Sequence, residues 1–300
     1  MKTFALALLL GLSTLHPAAF AAPKPAIDRL EPPFWWAGMA SNKLQLMVHG
    51  ERIADLQPAL DYKGVRIAAV TRVTNPNYLF IDLEMDQNVT PGAFDIAFKG
   101  AGRATSYRYQ LRQRAEGSAQ RRGFDSTDVI YLLMPDRFAN GNPSNDSVAG
   151  LADKGNRALG YGRHGGDIQG MIDHLDYIHD MGFTQLWPTP LVTNDMKGAS
   201  YHGYAATDHY QIDPRFGTND DYLRLSSAAR QHGVGLIQDV VLSHIGSGHW
   251  WMKDKPTADW INYGGKFIPT EHHRVSVQDP YAAQEDKENF TRGWFAPQMR

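Results

Sequence analysis

Cysteine is absent from all 300 residues. No disulfide can staple the chain, and no thiolate can hold a metal or a lipid anchor, so stability has to come from buried surface and bound ions. Long apolar runs are also missing. Past residue 21 no stretch approaches the roughly 20 apolar residues that a membrane-spanning helix needs. Charge of one sign is lacking too. Thirty Lys and Arg stand against 32 Asp and Glu, a net charge of −2, which leaves no electrostatic footprint for nucleic acid or an acidic membrane surface. No H-E-x-x-H spacing occurs among the histidines, so the pattern of a zinc peptidase is not there.

What is present begins with a leader. Lys2 supplies a positive start, Phe4 to Leu12 form a short apolar run, and Ala19-Phe20-Ala21 is a small-x-small cleavage site. Residues 1–21 are therefore expected to be a signal peptide, with Ala22 the mature start and the protein periplasmic or secreted.

Residues 23–115 have the texture of a β-sandwich. Leu44, Leu46 and Val48 share one face of a period-two pattern, as do Leu79, Ile81, Leu83 and Met85, then Phe94, Ile96 and Phe98, then Tyr107, Tyr109 and Leu111. Asn75-Pro76-Asn77, Pro91-Gly92 and Gly100-Ala101-Gly102 punctuate these runs as turns. Short alternating strands at this spacing predict an antiparallel sandwich of immunoglobulin-like size. The polar stretch Arg112 to Gly123 is the expected linker.

From residue 124 to 300 the pattern changes to strands alternating with helices. Val129 to Met134, Phe183 to Trp187 and Val234 to Leu242 are continuous apolar runs, as strands buried on both faces require. Asp167 is placed to cap a helix carrying Ile168, Met171, Leu175 and Ile178 on one stripe and stopping at Gly182. Thr218 or Asn219 is placed to cap a second, through Tyr222, Leu225 and Ala229 to Gly233. The βαβαβ order predicts a parallel sheet. Three strands cannot close a barrel, which takes eight, and no phosphate-binding glycine loop follows the first strand to suggest a complete doubly wound domain.

Three motifs carry chemistry. Asn140, Asn142, Asn145 and Asp146 crowd oxygen-bearing side chains after the first strand, and Gly165-Gly166-Asp167 adds a carboxylate and flexible carbonyls. Such a set suits calcium, which takes six to eight oxygens, or it is a polar loop with Asp167 as a plain helix cap. Tyr201-His202-Gly203-Tyr204 with Asp208-His209-Tyr210 pairs aromatic rings with polar neighbours. That is what a sugar site needs, though on pattern alone the plainer reading is that Tyr204 and Tyr210 pack against the sheet. Asp239-Val240-Val241-Leu242-Ser243-His244 puts a histidine at the carboxyl end of the third strand, where barrel enzymes place functional groups. His164, His202, His209, His272 and His273 could be considered for a metal, but adjacent loop histidines are usually solvated.

Together, YLLMPDRFANGNPSND (131–146), SYHGYAATDHYQIDPRFG (200–217) and LIQDVVLSH (236–244) resemble the front half of the α-amylase superfamily of (β/α)8-barrel enzymes, glycoside hydrolase family 13. The wording of HWWMKDKPTADWINY (249–263), the ending Gly293 to Met299 and the preceding sandwich resemble cyclomaltodextrinases and neopullulanases in particular. The resemblance implies an immunoglobulin-like sandwich followed by the first part of a TIM barrel, truncated after strand three, with the start of an inserted domain. It implies a retaining hydrolase of α-1,4-glucans (cyclodextrins, maltodextrins, pullulan or starch) that works through two carboxylates. The family draws these from later strands, so the nucleophile and acid/base are expected beyond Arg300 and this stretch alone is expected to be inactive. The alternative is a non-catalytic starch- or maltodextrin-binding protein.

By the same resemblance, Asn140, Asn142, Asn145, Asp146, the Gly165 carbonyl and Asp167 would hold a structural calcium. His202, Tyr204 and His244 would bind the sugar, Asp208 would be structural, and Asp239 would pair with an arginine outside this chain. Ser243 stands where the family usually has Asn, a frequent calcium ligand in classical α-amylases, so one calcium site is implied. The implied partner is an α-glucan oligosaccharide or cyclodextrin, with a homodimer possible through the N-terminal domain.

Overall fold

The computed structural model describes residues 27–266 together with Tyr281, Ala283 and Gln284. The expected leader, His272 and His273, and the Gly293–Met299 ending lie outside the described residues.

The first part is a two-sheet sandwich. Its strands are β1 (Arg29–Glu31), β2 (Phe34–Trp36), β3 (Lys43–His49), β4 (Gln57–Leu60), β5 (Val65–Arg72), β6 (Tyr78–Met85), β7 (Gly92–Gly100) and β8 (Arg103–Arg112). One sheet runs in the order β1-β3-β6-β5, the other β2-β8-β7-β4. The β3–β6 register sets Leu46 opposite Ile81 and Val48 opposite Leu79, so the predicted apolar faces meet in one core with Phe94, Ile96, Phe98, Tyr109 and Leu111. Side chains alternate at period two, which is why a single face of each strand supplies that core. Ala101 and Gly102, both at positive φ, close the β7–β8 hairpin, the twist that a two-residue turn between right-twisted strands favours.

β6 departs from simple alternation. Tyr78 and Phe80 point away from the sandwich core yet are buried, with Met47, because Trp250 and Trp251 pack over them. The outer face of this sheet is therefore a second apolar surface, covered by a segment far downstream that includes Asp254, 176 residues after Tyr78.

The second part starts with β9 (Ile130–Leu133), followed by the short helix α1 (Pro135–Phe138), α2 (Ile168–Asp173), α3 (Leu175–Asp180), β10 (Gln185–Pro188), β11 (Val192–Thr193), β12 (Asp208–Ile212), α4 (Asn219–Gln231) and β13 (Gly235–Leu236). Strands β9, β10 and β13 form a parallel sheet in the order β13-β10-β9. The predicted stripe Ile168, Met171, Leu175 and Ile178 is buried against this sheet with Leu186, Leu225, Ala229 and Val234. Thr218 and Asp221 form a reciprocal capping box at the start of α4.

Two expectations need correction. The helix after Asp167 is not continuous. His174 Nδ1 lies 2.8 Å from the Gly170 carbonyl, the acceptor its own backbone N–H would use, and that N–H turns to Met171 O at 3.2 Å instead. The helix is tightened there into two six-residue pieces. The third strand is much shorter than residues 234–242. Its ladder ends where Ile237 N donates to Leu186 O at 2.9 Å. β10 runs out at Pro188, which has no N–H to give, and among the described residues β13 has one neighbour only. The β11–β12 hairpin has no counterpart in the residue pattern. Its strands are short and are separated by the whole Tyr201–Tyr204 loop.

Candidate functional site

The loop between β11 and β12 is folded back by two positive-φ residues, Ala199 (54°) and Gly203 (83°), which flank a single 3-10 turn over Ser200–His202. Gly203 is required for more than its torsion angle. A Cβ there would sit 2.0 Å from the Pro190 carbonyl oxygen. The fold of the loop brings His202 and Tyr204 together, ring centroids 5.9 Å apart and 29° from parallel.

Hydrogen bonds fix what each ring can offer. Tyr204 N donates to His202 Nδ1 at 2.9 Å, so in the neutral ring the proton is on Nε2, which is left as a donor. Burial holds the His202 pKa below its ordinary value and keeps the ring neutral. Tyr204 Oη donates to Asp239 Oδ2 at 3.0 Å, and Trp187 Nε1 donates to the same oxygen at 3.1 Å. Burial, then this bond to a carboxylate, pushes the Tyr204 phenol up to about 12. His244 Nε2 lies 2.9 Å from the Tyr204 carbonyl, which can only accept, and Ser243 Oγ lies 3.0 Å from His244 Nδ1. His244 thus donates to the Tyr204 backbone and accepts from Ser243. The predicted sugar residues and Asp239 therefore form one cluster at the strand ends. Within it Asp239 anchors Tyr204, and His244 braces the main chain beneath.

Sequence reasoning missed the buttress under this loop. Asp213 and Arg215 form a fully buried ion pair, Arg215 Nη2 to Asp213 Oδ2 at 2.6 Å and Nε to Oδ1 at 2.8 Å. Arg215 also donates to the Asn194 and Asp153 carbonyls, while Asp153 Oδ2 accepts from Ser200 N. Burial opposes ionisation of Asp213, but the Arg215 hydrogen bonds and charge outweigh it and hold its pKa low. The available signal was a charged Asp-Pro-Arg flanked directly by Ile212 and Phe216.

The oxygen-rich loop also closes on itself. Asn140 Nδ2 donates to Asp146 Oδ1 at 2.8 Å. Gly165 packs against both, and a Cβ on it would be 2.6 Å from Asp146 Oδ1. Asp167 caps α2 through Gly170 N at 2.7 Å and also accepts from Gly141 N and Asn142 N. Asn142 Oδ1 accepts from Ser144 N and Oγ, the turn it caps. Asn140 Oδ1 and Asn145 Oδ1 are buried without a hydrogen-bond partner among the described residues, an arrangement that costs free energy unless something accepts their lone pairs. The donor set is entirely oxygen, so the residues fit a hard cation such as calcium. No group of three or more His, Cys, Asp or Glu side chains that could hold a metal occurs among the described residues.

Asp136 lies beside this loop, wholly buried. It accepts from His164 N at 2.8 Å and Gly165 N at 3.2 Å and pairs with Arg137 at 3.3 Å. Asp208, expected to be structural, meets Arg29 of the sandwich at 2.8 Å.

Residues 132–295 match the family model described as "Alpha amylase, catalytic domain". The chain belongs to the α-amylase family. Residues 29–115 match a second model, "Cyclomaltodextrinase, N-terminal", which coincides with the sandwich. Among curated relatives, a beta/alpha-amylase of Paenibacillus polymyxa is 40% identical over 154 residues, covering 49% of this chain and 12% of that protein. Neopullulanase 2 of Thermoactinomyces vulgaris is 38% identical over 127 residues, covering 42% and 21%. A solved Anoxybacillus α-amylase is 36% identical with a TM-score of 0.41, covering 56% of this chain and 34% of that one. The chain thus spans about an eighth to a fifth of the length of these curated relatives.

Proposed function

We propose that this protein acts on α-1,4-linked glucans, with His202 and Tyr204 holding one glucosyl unit. The observation that carries this is the locked pair of rings. Tyr204 offers a face on which the apolar side of a sugar can stack, and its hydroxyl is already committed to Asp239. His202 offers an Nε2–H at its edge for a sugar hydroxyl. His244 and Ser243 keep the Tyr204 backbone in place. The named activities of the relatives, an amylase and a neopullulanase, agree with an α-glucan ligand.

The chemistry proposed for the whole protein is retaining hydrolysis by two carboxylates. Among the described residues, the acids placed by these motifs already have partners: Asp136 and Asp167 accept from backbone N–H groups, and Asp239 accepts from Tyr204 and Trp187. We assign to this chain binding and positioning, not bond cleavage. A calcium held by Asn140, Asn142, Asn145, Asp146, the Gly165 carbonyl and Asp167 would supply charge neutralisation and pin the loop between β9 and α2. Export by the leader at residues 1–21 completes the reading, and N-terminal sequencing of the mature protein checks it.

Calorimetric titration with maltoheptaose tests the proposal. Wild-type chain is expected to bind, and Tyr204→Ala to lose at least about tenfold in affinity, the cost of one stacked ring and its exclusion of water. Equal binding by both proteins would refute the assignment.

A further inference from the structure

The segment following His244 does not stay with the barrel sheet. It crosses to the sandwich and is received there by a built socket. Three side chains of the sandwich converge on the single carboxylate of Asp254. Asn77 Nδ2 donates to Oδ2 at 2.9 Å, His49 Nε2 lies 3.0 Å from the same oxygen, and Asn75 Nδ2 donates to Oδ1. Tyr78 Oη donates to the Asp254 carbonyl. Asn75 N and Nδ2 also donate to the carbonyls of Pro256 and Lys255, at 3.2 and 2.8 Å. Just before this socket Trp250 stacks on Tyr78, 6.0 Å between centroids and 10° from parallel. Burial works against ionisation of Asp254, but the bonds from Asn77, His49 and Asn75 prevail and keep its pKa low.

The other side of the same segment faces a cleft of about 590 Å³. Trp251, Trp260 and Ile261 line it together with Ser243 and His244. Trp251 is shared: it packs on the Met47, Tyr78 and Phe80 patch of the sandwich and borders the cleft. Trp260 meets Trp251 edge to face at 5.4 Å and lies 6.1 Å from Phe80. The Trp251 and Trp260 part of the cleft wall is thus braced against the sandwich, while Tyr210 of β12 lines the same cleft from the barrel side.

We propose that Asp254 is a positioning residue through which the N-terminal sandwich sets the aromatic wall of the cleft, and that this wall holds glucosyl units beyond the one at Tyr204. The inference rests on the glucan reading above. Asp254 touches no sugar itself. It fixes where Trp251 and Trp260 stand.

The test uses the full chain and two variants, Asp254→Ala and Asp254→Asn. Asparagine keeps the shape but offers one acceptor oxygen to three donors. Hydrogen exchange reports whether the carboxylate holds the segment. Amides of residues 249–262 are expected to lose protection in both variants, more in the alanine, while those of β9 and β10 do not change. Titrations with maltose and with maltoheptaose report on the cleft. Wild type is expected to bind the longer glucan more tightly. Both variants should keep the maltose affinity and lose that gain, by about tenfold for Asp254→Ala, the loss of one to two charged hydrogen bonds' worth of ordering. Unchanged exchange over 249–262 would overturn the clasp. Changed exchange with an unchanged maltoheptaose gain would overturn its link to the cleft and leave the Tyr204 site standing. Loss of both affinities in step would mark Asp254 as merely structural. Failure of wild type to bind either glucan would sink the glucan reading, while the exchange data would still decide the clasp.

Discussion

Replacing Gly203 with alanine tests whether loop geometry is what sets the sugar cluster. The residue sits at φ 83°, and its Cβ would fall 2.0 Å from Pro190 O. The left-handed conformation alone costs a non-glycine residue about 1–2 kcal/mol. The contact adds an overpacking term of about 1–3 kcal/mol, because the atom in the way is backbone and cannot rotate aside. The sum, about 2–5 kcal/mol, corresponds to a midpoint lowered by roughly 5–15 °C for a domain of this size. The loop has a cheaper way out: moving away from Pro190 tilts Tyr204 off Asp239 and His202 off Tyr204 N, whose bonds are 3.0 and 2.9 Å now. Glucan binding should therefore fall further than stability. Gly198→Ala is the control. It lies in the same loop, has no heavy atom within 4 Å of its would-be Cβ, and should stay within about 0.5 kcal/mol of wild type. Thermal scans and maltoheptaose titration of the three proteins decide the matter. A Gly203→Ala protein that melts and binds like the Gly198→Ala control would refute the reasoning.

Other perturbations follow from the same geometry. Calcium at a hundredfold excess over its dissociation constant should stabilise the chain by about 2.7 kcal/mol, and a chelator should reverse this. Asn145→Ala, which removes a buried unpartnered oxygen, should blunt that response, whereas an equal calcium shift in both proteins would contradict the site. Burial holds His249 at about 4, with His209 and Arg29 also disfavouring its charge and Asp208 favouring it. Since its unfolded value is higher, near 6.5, the unfolded state binds the extra proton, so stability is full above that pH and is lost as pH falls toward 4, by at most about 3 kcal/mol. His249→Asn keeps the acceptor for Trp251 N and should flatten that part of the stability–pH curve; an unchanged slope would argue against His249 as its source. Tyr204→Phe removes the donor to Asp239 and should cost about 1.5–3 kcal/mol in urea unfolding, with no loss of stacking area, so a neutral change would mean that the bond is idle.

Much of this molecule follows from residue pattern. The faces of β3, β6 and β7 are written in alternating apolar residues, and the α2–α3 stripe and the Thr218 cap follow helical rules. Both candidate loops were visible as motifs because their chemistry sits in contiguous residues. What escaped is long-range. Nothing local in Tyr78-Leu79-Phe80 says that its second face is covered by Trp250 and Trp251. Asp254 is one acid among 32 until the fold brings it to Asn75, Asn77 and His49. The Asp213–Arg215 pair carries no local sign of its burial, which only the surrounding fold imposes. The third strand was overestimated because an apolar run shows capacity to pair, while pairing needs a neighbour with N–H groups to offer, and Pro188 ends that supply.

The most direct check on the central claim is a crystal structure of the chain soaked with maltotriose. A glucosyl ring stacked on Tyr204, with a hydroxyl within hydrogen-bond reach of His202 Nε2, is the predicted result. A well-occupied sugar elsewhere, with the His202–Tyr204 pair bare, would contradict the account.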